Sequence, residues 1–274
     1  MKKNKTKSTP KHFSIVSYAF LYTLFSCSHL IGENHYDGIS LFQKYENITY
    51  SWLAQFLPYN PIILEAGAFR GDETYAAAKI WPNGQIFAFE PCHYSFNHLR
   101  DMVFEKELTN VKVFNLALNT YNGKASLFTC HGMYGQDDAF EYASSLLPLK
   151  RDMEMCCKGP TLKVPCVVLD DWCRENQIDH IDILRLELEG LELQVLESSP
   201  NILKAVKIIY MKSFIHPHRV SMTEYPHLKR YLEAANFVLL AHWYTTGVEG
   251  HVLFLSRELF DSYFKKSLGI YLEM

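Results

Sequence analysis

The chain has 274 residues, 48% hydrophobic and 21% charged, with a formal net charge of −3. That length holds one α/β domain of about 200 residues plus flanking segments. The composition excludes a disordered chain, and the charge gives no electrostatic case for nucleic acid as a partner. The charge is uneven: residues 1–12 carry Lys2, Lys3, Lys5, Lys7 and Lys11 and no acid.

That basic start runs into Phe13–Ile31, an apolar-leaning stretch without a charged residue. A basic region followed by an apolar one reads as a signal peptide or membrane-anchor-like segment over residues 1–32, with membrane association through residues 13–31. The expected location is then a membrane or the secretory pathway. The alternative is an amphipathic helix that stays in the cytoplasm. The seven cysteines (Cys27, Cys92, Cys130, Cys156, Cys157, Cys166, Cys173) form an odd set with no C-x-x-C pair. They suggest neither a disulfide framework nor a zinc site, and read as small buried hydrophobes.

Within a helical segment spanning 33–60, Leu41, Tyr45, Ile48, Trp52 and Phe56 recur at helical spacing and predict one helix over Asp37–Phe56. Pro61–Ala66 reads as a strand, Asp72–Ile80 as a helix with acids at its positive end, and Gln85–Glu90 as a second strand. A helix over Ser95–Leu108 and a strand over Val111–Leu116 follow. Asn122-Gly123 signals a hairpin into Lys124–Thr129. Cys130–Pro160 is polar and poorly periodic, a long loop. Strands are expected at Leu162–Leu169, Ile181–Leu188, Val206–Met211, Phe237–Ala241 and Val252–Leu255. Helices are expected at Asp170–Asn176, Leu191–Glu197 and Glu224–Ala235, with a helical tail over 257–274. The alternation predicts an open, mostly parallel α/β sheet covered by helices on both faces, over residues 61–256.

In such sheets ligands sit beyond the carboxyl ends of the strands. The first strand ends Glu65-Ala66-Gly67-Ala68-Phe69-Arg70-Gly71, an acid followed by two glycines. This is not the G-x-G-x-x-G of a dinucleotide site, and an acid before the first glycine would repel a phosphate but not a cationic ligand bearing an amino acid and a ribose. The second strand ends at Glu90, placed to accept bonds from both hydroxyls of a ribose. Glu187, at the end of Ile181–Leu188, reads as a base, a hydroxyl orienter or a metal ligand, or as the ion-pair partner of Arg185 on the same strand face. His216, in the loop after Val206–Met211, is a second candidate base. His242-Trp243-Tyr244 reads as aromatic packing.

Several stretches resemble the FkbM-type methyltransferases: Glu65–Gly71, Ala88-Phe89-Glu90-Pro91, Asn115–Leu118, Ser144-Ser145-Leu146, Val168-Leu169-Asp170 and Ile181–Glu192 (IDILRLELEGLE). The resemblance covers most of residues 61–256. It implies a class I methyltransferase (Rossmann-like) fold with a seven-stranded sheet, and S-adenosyl-L-methionine (AdoMet) held by Glu65, Gly67, Ala68, Gly71, Thr74, Glu90, Pro91, Ala117 and Ser145. The implied reaction is methyl transfer to a hydroxyl of a sugar, glycolipid or small natural product, with Glu187 and His216 as the catalytic candidates. No metal ligand is expected, although a divalent metal stays an open alternative. Phe69 stands where the family usually has Asn, Arg185 where it has Lys, Glu187 where it has Asp, and Met211-Lys212 where it often has Glu. A catalytically silent AdoMet-fold binding or assembly module is therefore a second reading. An NAD-linked oxidoreductase is a third, disfavoured by the missing third glycine.

Overall fold

A computed structural model describes residues 50–130, 141–151, 159–244 and 249–265. The predicted targeting segment, most of the helix over Asp37–Phe56 and the end of the tail lie outside the described residues. Of that helix, Tyr50–Leu53 are helical before the chain turns ahead of Pro58.

The strands are β1 (Ile62–Ala66), β2 (Gln85–Phe89), β3 (Val111–Phe114), β4 (Ala117–Leu118), β5 (Gly123–Phe128), β6 (Thr161–Val167), β7 (Ile181–Leu186), β8 (Val206–Phe214), β9 (Phe237–Tyr244) and β10 (Glu249–Ser256). Seven of them form one sheet in the order β3-β2-β1-β7-β8-β10-β9. All neighbours pair in parallel except β10, which runs antiparallel to both β8 and β9. This is the expected class I methyltransferase sheet. The strand order reverses between β1 and β7, which places a ligand crevice at their carboxyl ends.

β7 is buried along its whole length, as a central parallel strand with both faces covered must be. On one face Leu64, Leu184, Leu186, Ile209 and Phe254 pack against Trp172, Leu196, Leu228 and Leu232, which come from the helices α3 (Leu169–Glu175), α4 (Glu192–Glu197) and α6 (Tyr225–Ala234). On the other face Ala88 packs against Leu99 of α2 (His93–Glu105), and Ala77 and Ala78 of α1 (Asp72–Ile80) are buried.

Two polar residues inside this apolar frame are structural clamps. Asp182 accepts from Ile62 N at 2.8 Å and Lys207 Nζ at 2.7 Å, tying β7 to β1 and β8. Asp170 accepts from the backbone N–H groups of Asn201 and Ile202, satisfying the start of the short helix α5 (Pro200–Leu203).

The hairpin expected at Asn122-Gly123 is corrected. β5 pairs not with β3 but with the distant β6, in a separate three-stranded sheet ordered β4-β6-β5. Asn122 turns the chain by bonding across to Asp171 and to Val168 N, so its side chain serves a long-range contact rather than a tight turn. β8 and β10 also run further than their apolar cores suggest, because Lys212 and Glu249 are partnered charges within the strands. The cysteine reading is corrected in one place. Cys92, Cys166 and Cys173 are buried free thiols, but Cys130 is disulfide-bonded, its partner outside the described residues.

Candidate functional site

The loop after β1 builds the floor of the crevice. Gly67 N and Ala68 N both donate to Phe89 O, at 2.9 and 3.0 Å, locking the loop to the end of β2. Gly67 has φ +83°, and a Cβ there would lie 2.1 Å from the carbonyl oxygen of Glu187. Only glycine allows β1 and the turn after β7 to approach so closely. Gly71, at φ +93°, caps α1, and a Cβ there would meet Leu99 and Met102.

Above this floor lies an open cleft lined by Gly67, Phe69, Glu90, Pro91, Ala117, Tyr142, Ser145 and Glu187 among others. A cleft at the carboxyl ends of such strands is where α/β sheets hold small-molecule ligands. Glu90 accepts from Phe69 N and Cys92 N, each at 2.8 Å. A carboxylate offers about four acceptor positions, so these donors orient it while leaving capacity toward the cleft. Asn115 donates to Glu90 O and Pro91 O and holds this strand end in place. Ser145 pairs with Phe128, and its hydroxyl bonds to Glu189 O at 3.1 Å, joining the small sheet to the turn after β7. That turn is fixed by Glu192, whose carboxylate accepts from Leu188 N and Gly190 N, both at 2.9 Å. Burial pushes the Glu192 carboxyl up to about 8.

A chain of charges runs beneath and beside the cleft. Glu65 is 2% exposed and bonds Arg185 Nη1 at 2.8 Å and Thr74 Oγ1 at 2.5 Å. Burial raises its carboxyl to about 7, the Arg185 guanidinium pulling the other way. Arg185 Nη2 lies 3.4 Å from Glu187 Oε1, and His251 Nε2 lies 3.0 Å from that same oxygen. Burial alone would raise the Glu187 carboxyl, but His251 and then Arg185 outweigh it and hold the group at about 2.

Of the residues expected to hold AdoMet, the structure brings Gly67, Glu90, Pro91, Ala117 and Ser145 together around the cleft with Glu187. It does not bring Glu65, Ala68, Gly71 or Thr74 to the lining: they support the loop from below. Glu187 pairs with Arg185, as one reading expected, and also lines the cleft. His216 is exposed and does not line it. The loop that carries it is tied to Lys150, through Lys150 Nζ to Pro217 O at 2.6 Å.

Sequence reasoning missed His251 and Tyr142. His251 is 2% exposed and carries no motif. The only signal for it is its register opposite Lys212. Lys212 itself is buried and paired with Glu189 at 2.5 Å and Glu249 at 3.2 Å, so it does not enter the cleft. Among the described residues no cluster suits a metal ion.

The sequence profile of the Methyltransferase FkbM domain matches residues 65–239. The 2-O-methyltransferase NoeI of Sinorhizobium fredii is 25% identical over 206 residues, covering 73% of this chain and 81% of that protein. Methyltransferase sdnD of Sordaria araneosa is 28% identical over 158 residues, covering 52% of this chain and 61% of that one. The crystal structure of methyltransferase FkbM from Methylobacillus flagellatus aligns at TM-score 0.46 and 11% identity, covering 88% of this chain and 58% of that one. The family match spans well over half the chain and includes the β1 loop, Glu90 and Glu187: the chain belongs to the FkbM family of methyltransferases, with AdoMet as methyl donor.

Proposed function

We propose that this methyltransferase acts on a hydroxyl of a carbohydrate or carbohydrate-bearing acceptor, and that Glu187 orients that hydroxyl. The observation that carries this is the contact between the Gly67 loop and the Glu187 turn. It puts the Glu187 carboxylate in the same cleft as the residues suited to the cofactor. The name of NoeI, a 2-O-methyltransferase, supports oxygen as the methyl acceptor.

AdoMet supplies an activated methyl group on a sulfonium. The protein's own share is alignment of an attacking oxygen, exclusion of water and acceptance of one proton. Glu90 and the β1 loop suit the ribose end of the donor. A carboxylate held at about 2 is a weak base toward an intact alcohol. It still takes the proton readily once the oxygen has begun to bond to carbon and turned strongly acidic. Glu187 therefore works as an orienter and late proton acceptor. His251 Nε2, facing a carboxylate, donates to it and fixes its direction. The silent-module reading loses one support: Lys212 is committed to two carboxylates outside the cleft.

The test is formation of S-adenosylhomocysteine and a methyl ether with a panel of mono- and oligosaccharides. Glu187→Gln should lower turnover about 10- to 100-fold, the worth of a charge-assisted hydrogen bond, with AdoMet affinity nearly unchanged. Product appearing on nitrogen or carbon, or turnover indifferent to Glu187→Gln, would overturn the assignment.

We also propose that residues 1–32 direct the chain to a membrane or the secretory pathway. The basic-then-apolar pattern supports this, as does the Cys130 disulfide, since disulfides persist in oxidising compartments. Among the described residues no helix is long and apolar enough to cross a membrane. Fractionation of the full chain against one lacking residues 1–32 tests it, and identical distribution of the two would refute it.

A further inference from the structure

We propose that Phe69 and Tyr142 form an aromatic clamp for the C–H face of a neutral pyranose ring, holding its hydroxyl edge toward Glu187. The proposal rests on the methyltransferase reading of the same cleft and names the acceptor chemistry within it.

Both rings line the cleft together with Glu187. They meet edge to face, centroids 6.2 Å apart and planes at 83°. Phe69 sits in the left-handed region at φ +49°, where a bulky side chain is strained. Two contacts hold it there: its N–H donates to Glu90, and the Arg70 guanidinium lies 5.1 Å from its ring centroid. Strain kept at a cleft wall by such contacts marks a side chain that the site uses.

Tyr142 is 50% exposed, on the single helical turn Glu141–Ala143. That turn is anchored by Arg219, which is 1% exposed and donates to Ala143 O and, at 2.9 Å, to Leu147 O. A bridge between Leu149 and Arg219 and the bond from Lys150 N to His218 O continue the anchoring. An exposed ring on a turn pinned by a buried arginine is a preformed surface.

The chemistry selects the ligand. Aromatic faces carry a negative quadrupole and attract the polarised C–H groups on the flat face of a sugar ring. Glu187, 17% exposed, lines the cleft beside both rings and suits a hydroxyl donor. Among the described residues no lysine or arginine lines the cleft with it to receive a phosphate or carboxylate substituent, and Lys212 is already paired with acids. A neutral ring fits and an anionic one does not.

The test uses the full-length protein saturated with S-adenosylhomocysteine, and ligand-observed saturation-transfer NMR. The probes are methyl glucoside, mannoside, galactoside and fucoside, beside methyl glucuronide and glucose 1-phosphate. The clamp predicts transfer to ring C–H protons of at least one neutral pyranoside and to neither anionic sugar. Transfer should fall at least fivefold in Phe69→Ala and Tyr142→Ala, and in Tyr142→Ala, which lies outside the β1 loop, S-adenosylhomocysteine affinity by calorimetry should stay within twofold of wild type. Phe69→Asn guards against misfolding, since Asn tolerates a left-handed backbone: it should melt no lower than wild type yet lose the transfer. No transfer to any neutral pyranoside, transfer unchanged by the substitutions, or a parallel loss of S-adenosylhomocysteine affinity in Tyr142→Ala would each overturn the clamp. Wild-type protein that fails to bind S-adenosylhomocysteine would instead overturn the reading on which the clamp rests.

Discussion

Substituting Gly67 by Ala tests the contact on which the site is built. The added Cβ would lie 2.1 Å from Glu187 O and 2.9 Å from its carbonyl carbon, both backbone atoms, at a position with φ +83°. Relief requires β1 and the turn after β7 to part by about 1.4 Å, since non-bonded heavy atoms settle near 3.5 Å. The bond from Glu187 N to Ala66 O at 2.9 Å opposes that movement. A left-handed backbone costs an L-residue about 1–2 kcal/mol, and overpacking about 1–3 kcal/mol. Together these give a loss of about 2–5 kcal/mol, or about 4–20 °C in Tm for a domain of this size. AdoMet affinity should fall with it, because Gly67 lines the cleft. Thermal melting and urea unfolding measure the first, with an unchanged m-value expected, and calorimetry measures the second. Gly123→Ala is the control: Gly123 has φ +144° but nothing within 4 Å of the added Cβ. If Gly67→Ala melted no lower than Gly123→Ala, the close approach of the two strand ends would be refuted.

Glu90→Ala should weaken AdoMet binding by about 2 kcal/mol or more, the loss of charge-assisted bonds to two hydroxyls, and unchanged affinity in a folded variant would remove the ribose contact. His251→Ala should lower kcat several-fold with little change in AdoMet affinity, His251→Gln should restore part of it through an amide donor, and His216→Ala should leave turnover near wild type; the reverse order of the two histidines would move the chemistry to the exposed loop. Glu65, raised by burial from 4.5 to about 7, binds its proton more tightly folded than unfolded, so its contribution to stability is complete below pH 4.5 and is lost as pH rises through 7. Melting of wild type and Glu65→Gln between pH 5 and 8 should show a downward slope that the variant flattens, and parallel curves would contradict this.

The sheet was legible because its strands announce themselves physically. A central parallel strand is apolar on both faces, so β1, β2 and β7 stand out as short apolar runs bounded by turn residues. The ends of β8 and β10 were not legible. Lys212, Glu249 and His251 look like residues leaving the core, and only their pairing with one another and with Glu189 and Glu187 keeps them in it. The pairing of β5 was hidden for a similar reason. Asn122-Gly123 has the chemistry of a tight turn, but whether Asn122 closes a hairpin or reaches Asp171 depends on a strand some 40 residues away in the chain.

The site divides along the same line. Glu90 and Glu187 could be read because they sit at strand ends flanking the reversal of strand order, where topology alone determines what a side chain faces. Glu65, expected to hold the cofactor, does not line the cleft. It stands one residue before the end of β1, buried, and there it needs Arg185. That need explains the rest of the chain of charges. Arg185, drawn inward by Glu65, also reaches Glu187, and His251 completes the partnership from β10, a strand that no motif marks. A carboxylate with the Arg185 guanidinium on one side and the His251 ring N–H on the other is rigid and weakly basic. Rigid alignment is what a methyl transfer asks of it, because the attacking oxygen becomes acidic only as the new bond forms. The residue with the least sequence signal, His251, thus has the clearest consequence: under the proposed mechanism it makes Glu187 a positioned acceptor of a hydroxyl's hydrogen bond rather than a strong base.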